Sequence, residues 1–144
     1  MSHKRGSFQK KKDQQNLIES LKKALQKEHE VLFSYLFGSL AYQNFTSKSD
    51  IDLAVYLDEK RCKDFFEKRL ELITQISRAL KKDVDIVILN TASPFLRYVV
   101  LKEGKLIFEK DRGKRIDFEL KSMNEYFDFK PILELYHKKL LAST

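Results

Sequence analysis

Two aspartates, Asp50 and Asp52, stand two residues apart in the sequence, and a Gly-Ser pair, Gly38-Ser39, precedes them. On an extended strand, residues two apart point to the same face, so the two carboxylates would converge on one point. Two like charges held that close are costly unless a cation lies between them, and carboxylate oxygens are ligands that magnesium prefers. The Asp-x-Asp pair therefore predicts a magnesium site.

The Gly-Ser pair has the chemistry of a phosphate-binding turn. Gly38 ends a run of apolar residues and lets the backbone approach a phosphate with no side chain in the way. The Ser39 hydroxyl and the amides of the following residues can donate hydrogen bonds to phosphate oxygens. Ser39 taken alone could equally be a helix N-cap, because both roles use the same turn.

A third carboxylate is expected near residue 84, where Asp83 and Asp85 again share one face of a predicted strand. We prefer Asp85 because it lies inside the strand, whereas Asp83 follows two lysines at a helix end, where a solvated charge is the simpler interpretation. Three carboxylates with two magnesium ions suit in-line phosphoryl or nucleotidyl transfer: one ion binds the triphosphate and the other activates the attacking hydroxyl. The third carboxylate would also act as general base.

These side chains meet only if a small sheet positions them, and the hydrophobic pattern predicts one. Four strands are predicted at residues 31–37, 51–57, 84–89 and 105–109. Helices are predicted from Asp13 to Glu28, from Lys60 to Lys82, from about Pro94 to Lys102, and from Arg112 to Leu141 with a break or kink before Pro131. This order indicates an α/β (α+β) domain, a small mixed sheet of about four strands flanked by helices.

The composition fits one domain at residues 13–144, preceded by a basic, flexible tail at residues 1–12. With 42% hydrophobic and 34% charged residues and no long apolar run, the chain resembles neither a disordered nor a membrane protein, and we expect it in the cytoplasm. The net charge of +7 suits polyphosphate ligands or acidic partners. Direct nucleic-acid binding is not expected, because no motif for it is present.

The spaced motif resembles a known superfamily. Gly38-Ser39, ten intervening residues, Asp50-Ile51-Asp52, and then Asp85 within the later strand Val84 to Ile88 look like the polymerase-beta-type nucleotidyltransferases. Within that superfamily, the short chain, the turn at residues 90–94 and the strand at 104–108 resemble the minimal nucleotidyltransferase (MNT) antitoxins of the HEPN/MNT toxin-antitoxin class. The resemblance covers roughly residues 32–109. It implies a polymerase-beta-like nucleotidyltransferase fold.

The resemblance also implies an activity, which is transfer of AMP from ATP to a tyrosine of a partner HEPN ribonuclease toxin, with Mg²⁺ (two ions) as cofactor. Carried over by position, Asp50 and Asp52 would bind both metals, Asp85 would complete the site, and Gly38 with Ser39 would hold the triphosphate. The antitoxin and the toxin would form a hetero-oligomer.

One departure from the family pattern affects the expected efficiency of catalysis: Tyr42-Gln43 stands where many relatives have Arg-Gly. Two other functions stay open. One is a non-catalytic antitoxin that neutralises its partner by binding, an alternative suggested by the apolar C-terminal segment. The other is a small-molecule nucleotidyltransferase that acts, for example, on an aminoglycoside.

Overall fold

The computed structural model describes residues 2–38 and 50–142. Four helices and four strands follow one another in the predicted order α-β-β-α-β-α-β-α. Their bounds are α1 Ser2–Gln26, β1 Val31–Phe37, β2 Ile51–Leu57, α2 Phe65–Leu80, β3 Val84–Ile88, α3 Pro94–Glu103, β4 Lys105–Glu109 and α4 Arg112–Ala142. The predicted fold class is confirmed.

The four strands form one mixed sheet in the order β3-β2-β1-β4. β1 pairs antiparallel with both β2 and β4, whereas β2 and β3 are parallel. Parallel neighbours need a crossover connection, and α2 supplies it. The register places Asp52 opposite Phe37 of β1 on one side and opposite Asp85 of β3 on the other. Asp52 therefore lies on a central strand with β1 and β3 as its neighbours.

Each face of the sheet packs against two helices, because successive residues of the strands point to opposite faces. One face joins α1 and α2 in the larger core cluster, and the other joins α3 and α4 in a smaller, aromatic cluster. The larger cluster includes Leu21, Leu25, Leu53, Val55, Leu72, Ile76 and Ile86, and the smaller one includes Phe33, Tyr35, Ala54, Val100 and Phe118. Asp52 is on the same face of β2 as Ala54.

Side-chain caps set the bounds of the two short helices. The Asp64 carboxylate accepts a hydrogen bond from the Glu67 N–H, so α2 begins after Asp64 rather than at Lys60 as predicted. Lys81 ends this helix in the left-handed conformation, at φ 54°. At the start of α3, the Ser93 hydroxyl oxygen accepts from the Leu96 N–H at 3.2 Å, as the Asp64 carboxylate does at the start of α2.

Two further sequence predictions about the helices differ from the structure. α1 begins at Ser2 and not at Asp13, so the expected tail is helical from Ser2 onward; the Asp13 carboxylate accepts from Gln9 Nε2 at 3.0 Å, one turn earlier, instead of capping the helix. α4 runs from Arg112 to Ala142 with Pro131 inside it, so the break expected before Pro131 does not occur, while the alternative of a kink there stays a prediction. None of the helices in the described ranges is long and apolar enough to cross a membrane.

Candidate functional site

The predicted site residues that lie within the described part of the chain meet at one end of the sheet. Asp52 of β2 and Asp85 of β3 are direct partners in the parallel register. Asp50 lies exposed just before β2, and Gly38 directly follows Phe37, the β1 partner of Asp52. Three neighbouring strands thus contribute one predicted residue each at this end, with Asp50 beside them.

Gly38 is fitted to its position by conformation and by space. Its φ of 75° lies in the left-handed region, which disfavours residues that carry a Cβ. A Cβ atom at this position would also overlap Oδ2 of Asp52. The backbone of the predicted phosphate turn therefore approaches the central carboxylate closely. Ser39, the other residue predicted to bind the triphosphate, lies outside the described residues, and so do Tyr42 and Gln43.

The central carboxylate lies in an acidic environment. Partial burial raises the pKa of Asp52 above its usual value, and the negative charges of Asp85 and Asp50 raise it further. A cation bound between these carboxylates would relieve their mutual repulsion. Asp83 has a different place: it precedes β3, and its main-chain oxygen accepts from the Ile51 N–H at 3.0 Å.

An arginine that the sequence did not single out completes the surroundings of Asp85. Arg69, on α2, donates from Nη2 to Oδ1 of Asp85 at 2.9 Å and from Nε to the main-chain oxygen of Ile86 at 2.6 Å. The Ile86 N–H donates to the same Oδ1 at 2.9 Å. Nothing in the sequence distinguishes Arg69 from the other cations of this helix, because only the packing of α2 along the edge strand brings it to Asp85.

The donor set fits magnesium when the phosphates are counted. Within residues 2–38 and 50–142, no three Asp, Glu, His or Cys side chains already stand as a ready-made metal site. Oδ1 of Asp85 forms an ion pair with Arg69. Magnesium, however, is commonly held by one or two carboxylates together with substrate phosphates. Asp50 and Asp52 could hold it in this way with a triphosphate on the Gly38 turn.

A family model described as polymerase beta, nucleotidyltransferase matches residues 19–113, which include every described site residue. The chain belongs to this family. The resemblance of the sequence to the polymerase-beta-type nucleotidyltransferases is thereby confirmed.

Similar proteins point in the same direction. The protein adenylyltransferase MntA of Shewanella oneidensis is 33% identical over 94 residues, which span 64% of this chain and 63% of that protein. A crystal structure of a toxin-antitoxin with AMP-PNP superposes with a TM-score of 0.72 at 26% identity, covering 86% of this chain and 98% of the other. A structure of a tri-AMPylated Shewanella oneidensis HEPN toxin in complex with MNT antitoxin superposes with a TM-score of 0.69 at 26% identity, covering 89% and 98%.

Proposed function

We propose that this protein is a magnesium-dependent protein adenylyltransferase that transfers AMP from ATP to a tyrosine of a partner HEPN ribonuclease toxin and so acts as its antitoxin. The observation that carries the proposal is the register that sets Asp52 beside Asp85, with the Gly38 turn against the Asp52 carboxylate. A relative with adenylyltransferase activity in its name and structures of toxin-antitoxin complexes support the choice of substrate and partner.

Each residue of the site has a proposed role. Asp50 and Asp52 hold two magnesium ions, Asp85 completes the site, and Gly38 with Ser39 receives the triphosphate. Bound magnesium supplies positive charge that neutralises the phosphates and lowers the barrier to displacement. The closeness of the Gly38 backbone to Asp52 supports this arrangement, because a phosphate bound at Gly38 would lie near a carboxylate that could hold magnesium.

The proposed reaction is a single displacement at phosphorus. The phenol oxygen of the acceptor tyrosine attacks the α-phosphorus of ATP, and the bond from that phosphorus to the bridging oxygen of the β-phosphate breaks. Pyrophosphate leaves with the bonding electrons, and the phenol proton passes to the carboxylate of Asp85. The product is a tyrosine that carries AMP. The proposed compartment is the cytoplasm, where ATP is plentiful, and the proposed assembly is a hetero-oligomer with the toxin.

A second candidate function, neutralisation by binding alone, is favoured by one observation. The second half of α4 exposes many large apolar side chains, more than a helix in water needs. Their exposed fractions reach 60% for Phe127, 59% for Leu135, 67% for Tyr136 and 76% for Leu141. A surface of this kind could cover a partner whether or not catalysis takes place.

Transfer of labelled AMP tests the proposed function directly. The purified protein is incubated with magnesium, ATP labelled at the α-phosphate and the folded HEPN partner, and the partner should become labelled. Asp52→Asn should lower the rate at least about a thousandfold, because metal binding contributes several kcal/mol to such a transition state. Asp117→Asn, an exposed aspartate early in α4, is the matched control and should leave the rate unchanged.

Two results would count against the proposal. Absence of label with the wild-type protein and a folded partner would remove the enzymatic activity. Survival of cells that produce the toxin together with Asp52→Asn at ordinary expression would show that binding alone neutralises the toxin, which favours the second candidate.

A further inference from the structure

An open cleft of about 410 Å³ runs along the outer edge of β3, beside the first turns of α2. Its walls are mostly apolar, and its polar wall is the ion pair of Arg69 with Asp85. Residues that line it include Phe65, Phe66, Arg69, Asp85, Thr91 and Ala92. The cleft and the carboxylate site therefore share Asp85.

One wall of the cleft is an aromatic ring that the core does not use. Phe66 is 69% exposed, although its neighbour Phe65 packs against the larger core cluster. A single exposed phenylalanine needs no explanation by itself. Phe66, however, stands in a concave surface that ends at a carboxylate, and this combination of an apolar wall with one polar group is typical of a ligand pocket.

The order of the strands places Gly38 and the cleft on opposite sides of Asp52. Gly38 follows β1 on one side of Asp52, and the cleft lies beyond β3 on the other side. In-line displacement needs the attacking and leaving oxygens on opposite sides of the phosphorus. With the triphosphate on the Gly38 turn, the acceptor must approach from the side of β3.

We propose that this cleft is the acceptor subsite and that it receives an aromatic hydroxyl side chain, the tyrosine of the partner protein. The ring lies against Phe66 and Phe65, and the hydroxyl points to the carboxylate of Asp85. This inference rests on the proposed function and adds to it the place where the acceptor binds.

The way in which the acceptor binds follows from the hydrogen bonds along the edge of β3. At Ile86, the outward C=O accepts from Arg69 Nε and the outward N–H donates to Asp85. An extended segment could not pair with these groups as an added strand, since they are already bonded. Insertion of a side chain into the cleft needs no such pairing.

The polarity of the cleft favours a phenol over the adenine ring of the nucleotide. Adenine carries several ring and amino nitrogens that need hydrogen-bond partners when they are buried. Besides Asp85, the polar side chains in the cleft are Arg69, which donates to Asp85 and to the main-chain oxygen of Ile86, and Thr91, whose hydroxyl donates to the main-chain oxygen of Ile88 at 3.5 Å. A phenol has one polar atom, and Asp85, which is 65% exposed, can accept from it.

Steady-state kinetics of AMP transfer test the subsite with Phe66→Ala. Loss of the ring contact should raise KM for the protein acceptor about tenfold, and KM for ATP should stay within about twofold of the wild-type value. Phe95→Ala, which removes a ring that is 54% exposed on α3 and outside the cleft, is the matched control and should change neither constant. A rise in KM for ATP with an unchanged KM for the acceptor would assign the cleft to the base and overturn the proposal, and so would two unchanged constants.

A measurement without the partner separates this inference from the proposed function. N-acetyl-tyrosinamide is titrated into the protein, and the NMR signals of Thr91 and Ala92 should shift, more strongly than with N-acetyl-phenylalaninamide and not in Phe66→Ala. Shifts at these residues together with an unlabelled partner would sink the proposed function and leave an aromatic-hydroxyl subsite. A labelled partner with no shift at the cleft would sink the subsite alone.

Discussion

Arg69 Nη2 lies 2.9 Å from Oδ1 of Asp85, and this ion pair connects α2 with the edge strand β3 at the candidate site. The same carboxylate oxygen also accepts from the Ile86 N–H. Two donors on one oxygen fix the orientation of the side chain and leave the other oxygen available. Arg69 is therefore in a position to orient the carboxylate that is proposed to accept the proton.

Arg69→Gln should reduce AMP transfer about 10- to 100-fold, the usual cost of losing a group that orients a ligand or a catalytic side chain. Stability should fall by less than about 1 kcal/mol, since the pair is partly exposed to solvent. Initial rates and thermal unfolding of the same preparation check both statements. Arg115→Gln removes a guanidinium that binds two carboxylates at β4 and α4, Glu109 and Glu119, and serves as the control. An equal loss of rate in both variants would show that Arg69 has only a structural role.

Gly38→Ala should damage both fold and site. The left-handed backbone at φ 75° costs an alanine about 1–2 kcal/mol, and the new methyl group overlaps Oδ2 of Asp52. The carboxylate must move to make room, so we expect at least about a hundredfold lower kcat from misplaced metal ligands. Chemical denaturation and transfer assays measure the two effects. A variant with reduced stability but full activity at low temperature would show that the close approach to Asp52 has no part in the reaction.

The bounds of the strands, and the pairs of aspartates at residues 50 and 52 and at 83 and 85, can be predicted from local sequence pattern. β1, β2 and β4 have the predicted bounds, because the apolar run of β1 ends at Gly38 and those of β2 and β4 begin after Asp50 and Gly104. The sequence leaves open whether the third strand lies beside the second, so the parallel pairing of Asp52 with Asp85 is a result of the structure. The strand bounds depend on residues close in sequence and on a period of two, which a single sequence displays.

The features that the sequence missed depend on contacts between distant residues or on competition within a helix. Arg69 reaches Asp85 only because α2 packs beside β3, and the sequence does not reveal the rotation of that helix. The sequence predicts a helix start at Asp13. In the structure the helix already includes the polar segment before it, and the Asp13 carboxylate accepts a hydrogen bond from Gln9 in the preceding turn.

The exposed apolar side chains of α4 should matter for binding and not for folding. Leu135 and Leu140 are 59% and 58% exposed, so the double change Leu135→Glu and Leu140→Glu should alter the free energy of unfolding by less than about 0.5 kcal/mol per site. If these residues contact the toxin, its affinity should fall at least about tenfold, which calorimetry or a pull-down with purified partner measures. Phe33→Ala, within the core, is the contrasting variant and should cost about 3–5 kcal/mol. Unchanged affinity in the double variant would show that the exposed side chains of α4 do not bind the toxin, and neutralisation by binding alone would lose its support.

The ionised carboxylate of Asp52 should lower the stability of the fold without magnesium and raise it when magnesium is bound. Burial, Asp85 and Asp50 raise the pKa of Asp52 above 3.8, so the folded protein binds this proton more tightly than the unfolded chain does. The stabilising effect of that proton is complete below pH 3.8 and is lost as the pH rises through the folded-state pKa. At neutral pH without magnesium, the ionised carboxylate therefore destabilises the fold, and Asp52→Asn should unfold at higher denaturant concentration than the wild type. This difference should shrink as the pH is lowered toward 4, because the wild-type carboxylate then becomes neutral too.

Magnesium should reverse the order of the two proteins. An ion that binds only the folded state stabilises it by mass action, by about 2.7 kcal/mol at a concentration one hundred times Kd. The wild type should gain this stability in the presence of AMP-PNP, which supplies phosphate ligands but resists transfer, whereas Asp52→Asn should gain little because it lacks a carboxylate ligand. Denaturant titrations of both proteins, with and without magnesium, separate these contributions. A wild type that is the more stable of the two at neutral pH before any magnesium is added would mean that the three carboxylates do not repel one another at this end of the sheet, and the electrostatic case for a cation there would be lost.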